Sequence, residues 1–169
     1  MRDFNKVSPT LWQSTRFRGL PSDDGRFLFL YLLTCPHNNS AGCFWLPDGY
    51  ACHDVGWAQD EYNAALQSLL DADMVDHDAE SETILVERWF RHNPPMNKSH
   101  RIGIVRQLEK VPSDRLRDKA YAALEEHESG SDTRNDTANR QPSDASQEQA
   151  AVVTAAHLRT GYMSGTRRR

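Results

Sequence analysis

Residues 22–46, SDDGRFLFLYLLTCPHNNSAGCFWL, decide the fold. Ser22 is placed to cap a helix whose first turn carries Asp23 and Asp24, where carboxylates meet the positive end of the helix dipole. Phe27, Leu28, Leu30, Tyr31, Leu32 and Leu33 set apolar side chains on nearly every side, which predicts a buried central helix closed by Pro36. The cluster at 38–42 reads as a turn, and 43–46 as a short aromatic strand. Asp48 then caps a brief second helix ending near Gly56.

A third helix follows over 59–72, because Tyr62, Ala65, Leu66, Leu69 and Leu70 recur at the spacing of one helix face. Residues 74–78 and 83–90 read as the two strands of a β-hairpin joined by a polar four-residue connection, 79–82. Helix, short strand, helix, turn, helix and hairpin is the order of a winged helix-turn-helix domain, and it predicts pairing of the first strand with the hairpin. Trp12, Phe27, Tyr31, Leu66, Leu69, Ile84, Val86 and Trp89 are assigned to its core.

Beyond Pro94 and Pro95, two more helices are expected, one over 99–110 with Ile102, Val105 and Leu108, and one capped by Ser113 with Leu116, Ala120 and Leu124. After His127 the composition turns to Ser, Asp, Thr, Asn, Gln and Arg, too little apolar area to offset ordering entropy. The expected fold class is therefore mainly α with a small β-hairpin. A winged helix-turn-helix spans 1–93, a helical extension 94–127 and a disordered tail 128–169, with a short helix at 149–158 formed on meeting a partner.

Several classes of function are set aside by what the chain lacks. Its longest apolar run, 27–33, is far short of the roughly 20 residues of a membrane span. Residues 1–6 lead into Pro9, Gln13 and Arg16 rather than an apolar signal core, so a cytoplasmic protein is expected. Cys35, His37, Cys43, Cys52 and His53 raise a zinc site, but no C-x-x-C pair is present and free packing thiols are the better reading. His92, Asn93, Asn97 and His100 carry the letters of a metal-dependent nuclease; they crowd into nine residues broken by two prolines and are read as a turn satisfying its own backbone. No phosphate-cradling loop or nucleophile elbow occurs, so no enzyme, cofactor or metal is expected.

Charge carries the functional signal. The net charge of −4 hides segregation: 53–87 holds ten carboxylates and no Lys or Arg, whereas 88–119 holds nine basic and three acidic residues. Cations neutralise phosphates and release counterions, so Arg16, Arg18, Arg88, Arg91, Lys98, Arg101 and Arg106 are the candidate DNA clamps. The third helix has no basic residue. Gln59, Asn63 and Gln67 could read adenine edges or touch a partner, but Asp60 and Glu61 would meet phosphate repulsion. With Asp76 and Asp78, those two carboxylates form a candidate acidic surface for a basic protein partner.

KVSPTLWQSTRFRGLPSDDGRFLFLYLLTCPHNNSAGCFWLPDGY (6–50), followed by LVERWFRHNPPMNKSH (85–100), resembles the N-terminal winged-helix region of phage and prophage replisome-organiser proteins, which are similar to DnaD-like primosomal initiators. The likeness spans 4 to about 126 and rests most on SPTLW ending at Trp12, YLLTCPHNNSAGCF (31–44) and WFRHNPPMN (89–97). It implies a replication-initiation protein of a bacterial host cytoplasm that binds duplex or partly melted DNA and recruits a replicative helicase or its loader. The competing expectations are a protein-interaction adaptor using the acidic surface and a transcriptional regulator, which requires a dimer on symmetric half-sites.

Overall fold

The chain folds from its caps inward. In the computed structural model, which describes residues 5–138, Ser8 caps a 3-10 turn (Pro9–Gln13) and Ser14 caps the one-turn helix α1 (Thr15–Arg18). Ser22 caps α2 (Asp23–Thr34) by accepting from the Gly25 amide at 3.2 Å. β1 (Cys43–Trp45), α3 (Asp48–Val55), α4 (Gln59–Asp71), β2 (Val75–Asp78) and β3 (Thr83–Val86) follow. The strands form one antiparallel sheet in the order β1-β3-β2, with Cys43 opposite Leu85 and Asp76 also opposite Leu85. The first strand thus pairs with the hairpin, completing the winged-helix arrangement read from the sequence.

One face of α2 (Gly25, Leu28, Phe29, Leu32) and one face of α4 (Tyr62, Ala65, Leu66, Leu69) are buried and pack together. All four residues of β3 are buried, as expected of a strand covered on both sides. Beyond the sheet, α5 (Trp89–His92) leads to α6 (Lys98–Leu108) and α7 (Asp114–Ala138), and α7 brings Ala120 and Ala123 alongside Leu85 and Val86 of β3. Ile104, Leu108, Leu116, Ala120 and Leu124 join the same core as the winged helix, and both parts lie in one compact unit, Met1–Gly130. Ser113 caps α7 through the Leu116 amide, as its position predicts.

Several expectations need correction. Trp12 and Phe27 are not core residues; they are 63% and 51% exposed, resting edge-on against Phe17 and tilted on Trp57 respectively. α2 is therefore buried on one side rather than all round, because α4 and the sheet reach only the face bearing Leu28 and Leu32. In α6 the buried stripe is Ile104 and Leu108, leaving Ile102 exposed. Pro47, not Asp48, occupies the N-cap of α3. The hairpin's second strand stops at Val86 instead of reaching Phe90, since Arg88 adopts a left-handed backbone (φ 57°) and turns the chain into α5. Helix α7 continues past His127 to Ala138; the proposed helix at 149–158 lies outside the described residues.

That turn at Arg88 is held from below. The Trp89 indole donates to the Ser40 carbonyl at 2.8 Å and lies against Gly42, whose φ of +65° and absent Cβ make room for it. A Cβ at Gly42 would sit 2.3 Å from the indole. The chain exits the sheet where a glycine and a tryptophan interlock.

Candidate nucleic-acid interface

α4, the helix that reads DNA in many winged-helix proteins, presents Gln59, Asp60, Glu61, Asn63 and Gln67 to solvent. Its amides are already engaged: Gln59 donates to Asn63 at 3.0 Å and to Asp48 at 3.3 Å, and Gln67 donates to Asp71 at 2.8 Å. Glu61 accepts from the Ala58 amide at 2.9 Å and so closes the helix start. The ridge is polar and anionic, without a cation to approach phosphate.

The seven candidate clamps divide into two groups. Arg16 aims both Nε and Nη2 at the Ala72 carbonyl, 3.0 and 2.8 Å away, and so finishes the C-terminal end of α4. Arg101 is ion-paired with Glu128, tying α6 to α7. These two are structural. Arg18, Arg88, Arg91, Lys98 and Arg106 are exposed, and their side chains have no hydrogen-bond or ion-pair partner among the described residues. Four of the five follow one another along α5 and α6, on the way out of the wing.

The connection between those helices is set by its own side chains. Asn97 accepts from the His100 amide at 2.8 Å and caps α6, while the His100 ring accepts from the Met96 amide at 3.1 Å. Asn93 turns back to the Trp89 carbonyl. Asn93, Asn97 and His100 thus serve the local backbone, while His92 is exposed, and among the described residues no three His, Cys, Asp or Glu are grouped to hold a metal.

Half of the proposed acidic surface, Asp76 and Asp78, is consumed within the fold. Asp76 accepts from Arg115 at 2.9 Å and Lys119 at 2.6 Å, and Lys119 also reaches Glu87 at 2.6 Å. Burial pushes the Asp76 carboxyl up, but the hydrogen bonds from Arg115 and Lys119 outweigh it and hold the group below the ordinary aspartate range. Asp78 is also lowered, chiefly by the Ser113 hydroxyl, and receives the Glu80 and Ser81 amides. Asp76 and Glu87 of the acidic wing and two cations from the start of α7, Arg115 and Lys119, are separate in sequence and neutralise each other in space. Asp60 and Glu61 remain exposed on α4.

Sequence reasoning missed the clamp made by Arg115 and Lys119. Its signal is their i, i+4 spacing, which sets two cations on one side of a helix whose Leu116, Ala120 and Leu124 are buried.

No family model, curated protein or solved structure matches this chain. Among the described residues no helix is long and apolar enough to cross a membrane.

Proposed function

We propose that this protein is a non-enzymatic DNA-binding module of phage or prophage type that assists replication initiation, holding DNA and recruiting a replicative helicase or its loader. The observation that carries the reading is the run of exposed cations Arg88, Arg91, Lys98 and Arg106 from the start of α5 through α6, whose side chains have no partner among the described residues, together with Arg18 from α1. Such groups bind phosphates without reading sequence, and their attraction is screened by salt. Because α4 carries no cation, contact is made by the helices beyond the wing rather than by insertion of α4 into the major groove.

Gel-shift titration of the full chain on single-stranded, duplex and forked DNA at two salt concentrations tests this. Retention that weakens steeply with salt is expected, with a logarithmic slope of about −4.5 on duplex and about −3.5 on single-stranded DNA if five phosphates are neutralised. Absence of salt-sensitive retention on all three substrates overturns the proposal. The adaptor reading keeps one supporting observation, the cation-free exposed ridge of Gln59, Asp60, Asn63 and Gln67. A pull-down from host lysate abolished by Asp60→Asn with Glu61→Gln would favour it.

A further inference from the structure

A groove of about 580 Å³ runs between the segment 6–8 and the exit from the sheet. Its floor is apolar, made by Phe29 and Leu33 of α2, Met74 before β2, and Trp89. Three cations line it, Lys6, Arg16 and Arg88, and its one lining carboxylate, Glu87, is neutralised by Lys119. The volume falls within the range of ligand sites, and an apolar bed with cations at the margin selects an anion that also carries apolar groups.

The wall narrows the choice further. Residues 5–8 form no helix, strand or turn, Ser8 is extended with φ −69° and ψ 134°, and the backbone groups of Lys6 and Val7 make no hydrogen bond among the described residues. A wall of irregular chain whose Lys6 and Val7 N–H and C=O groups are open among the described residues suits another extended chain, which a lipid cannot supply. In an extended chain alternate side chains face opposite ways, so one set meets the floor and the other the cations.

We infer that this groove binds an extended peptide segment of a partner protein in which carboxylate side chains alternate with large apolar ones. The site shares Arg88 with the proposed phosphate-binding run, but its apolar floor and Lys6 lie outside that run and the inference does not rest on it. Lys6 and Arg88 supply charge at the margin, Arg16 is held in place by the Ala72 carbonyl, and the Lys6–Val7 backbone supplies the pairing edge.

The test uses the full chain without DNA. A fluorescently labelled capped peptide of alternating Asp and Leu is titrated by anisotropy beside the same peptide with Lys in place of Asp, and amide exchange is followed at Lys6 and Val7. The acidic peptide is expected to bind about tenfold more tightly than the basic one and to slow exchange at both amides. Lys6→Glu, at an exposed position, is expected to weaken the acidic peptide about fivefold while circular dichroism stays unchanged. Equal binding of the two peptides, or unchanged exchange at Lys6 and Val7, overturns the inference. So does saturable binding of dodecanoate together with failure of the acidic peptide to bind.

Discussion

Replacing Gly42 by alanine should damage the protein far more than the same change at Gly56. Both glycines occupy the left-handed region, at φ +65° and +73°, so each Cβ carries a conformational cost of about 1–2 kcal/mol. At Gly56, which ends α3, a Cβ meets nothing within 4 Å, and that cost is the whole effect. At Gly42 it would lie 2.3, 2.4 and 2.8 Å from three atoms of Trp89. The indole must then leave its bed and its bond to Ser40, adding about 1–3 kcal/mol of overpacking and about 1 kcal/mol for the hydrogen bond. Gly42→Ala is therefore expected to lose about 3–6 kcal/mol and Gly56→Ala about 1–2 kcal/mol, measured by urea unfolding of the full chain followed by circular dichroism. Trp89→Leu supplies the control: in a double-mutant cycle the pair should cost at least about 1.5 kcal/mol less than the sum of the singles. Equal losses at the two glycines, or additivity in the cycle, would refute the interlock beneath Arg88.

Among the candidate clamps, Arg91→Ala, Lys98→Ala and Arg106→Ala should each reduce the salt slope of DNA binding by about 1, measured by salt titration, with little change in melting temperature. Arg16→Ala and Arg101→Ala should do the reverse, lowering the melting temperature and sparing the slope, because their guanidinium groups serve Ala72 and Glu128. Asp76→Asn should cost about 1–2 kcal/mol at pH 7, since the carboxylate is largely covered and its two cations half-exposed. The folded state holds Asp76 below its unfolded value near 3.9, so its contribution is complete above that value and is lost as pH falls through the lower, folded one. Variant and wild type should thus converge in stability at strongly acidic pH, and a gap that persists there would count against the ion pairs. Native alkylation at pH 8 should label Cys52 first. Cys35 and Cys43 are buried, and burial followed by the nearby Asp76 charge pushes Cys43 up to about 12; peptide mass mapping after brief labelling would show the order.

The winged-helix order was readable because each of its elements carries a local signature. Ser22, Ser113 and the Tyr62–Ala65–Leu66–Leu69 stripe act within one or two turns of helix, where short-range chemistry decides the outcome. What could not be read is long-range. Trp12 and Phe27 are apolar in any context, and their exposure follows only from where neighbouring elements end. The end of β3 depends on a strained turn at Arg88 and on the space above Gly42, two features set by a contact between distant segments. The charge segregation was visible in the sequence, but linear blocks do not say which charges will meet. Arg115 and Lys119 turned the expected docking carboxylate Asp76 into an internal partner, and Arg101 of α6 was taken by Glu128, while the side chains of Arg91, Lys98 and Arg106 have no partner among the described residues.

β3 is central in the sheet and buried along its whole length, yet one of its two covers is made by the last helices of the fold. Synthesis proceeds from the N-terminus, so Thr83–Val86 emerges from the ribosome well before the Leu116, Ala120 and Leu124 that help bury it. During that interval the nascent chain displays a bare apolar strip, flanked by the carboxylates of Asp76 and Asp78 acting as gatekeepers until Arg115, Lys119 and Ser113 arrive to claim them. Translation stalled before residue 113 would leave a polypeptide that chaperones, or other copies of itself, find adhesive.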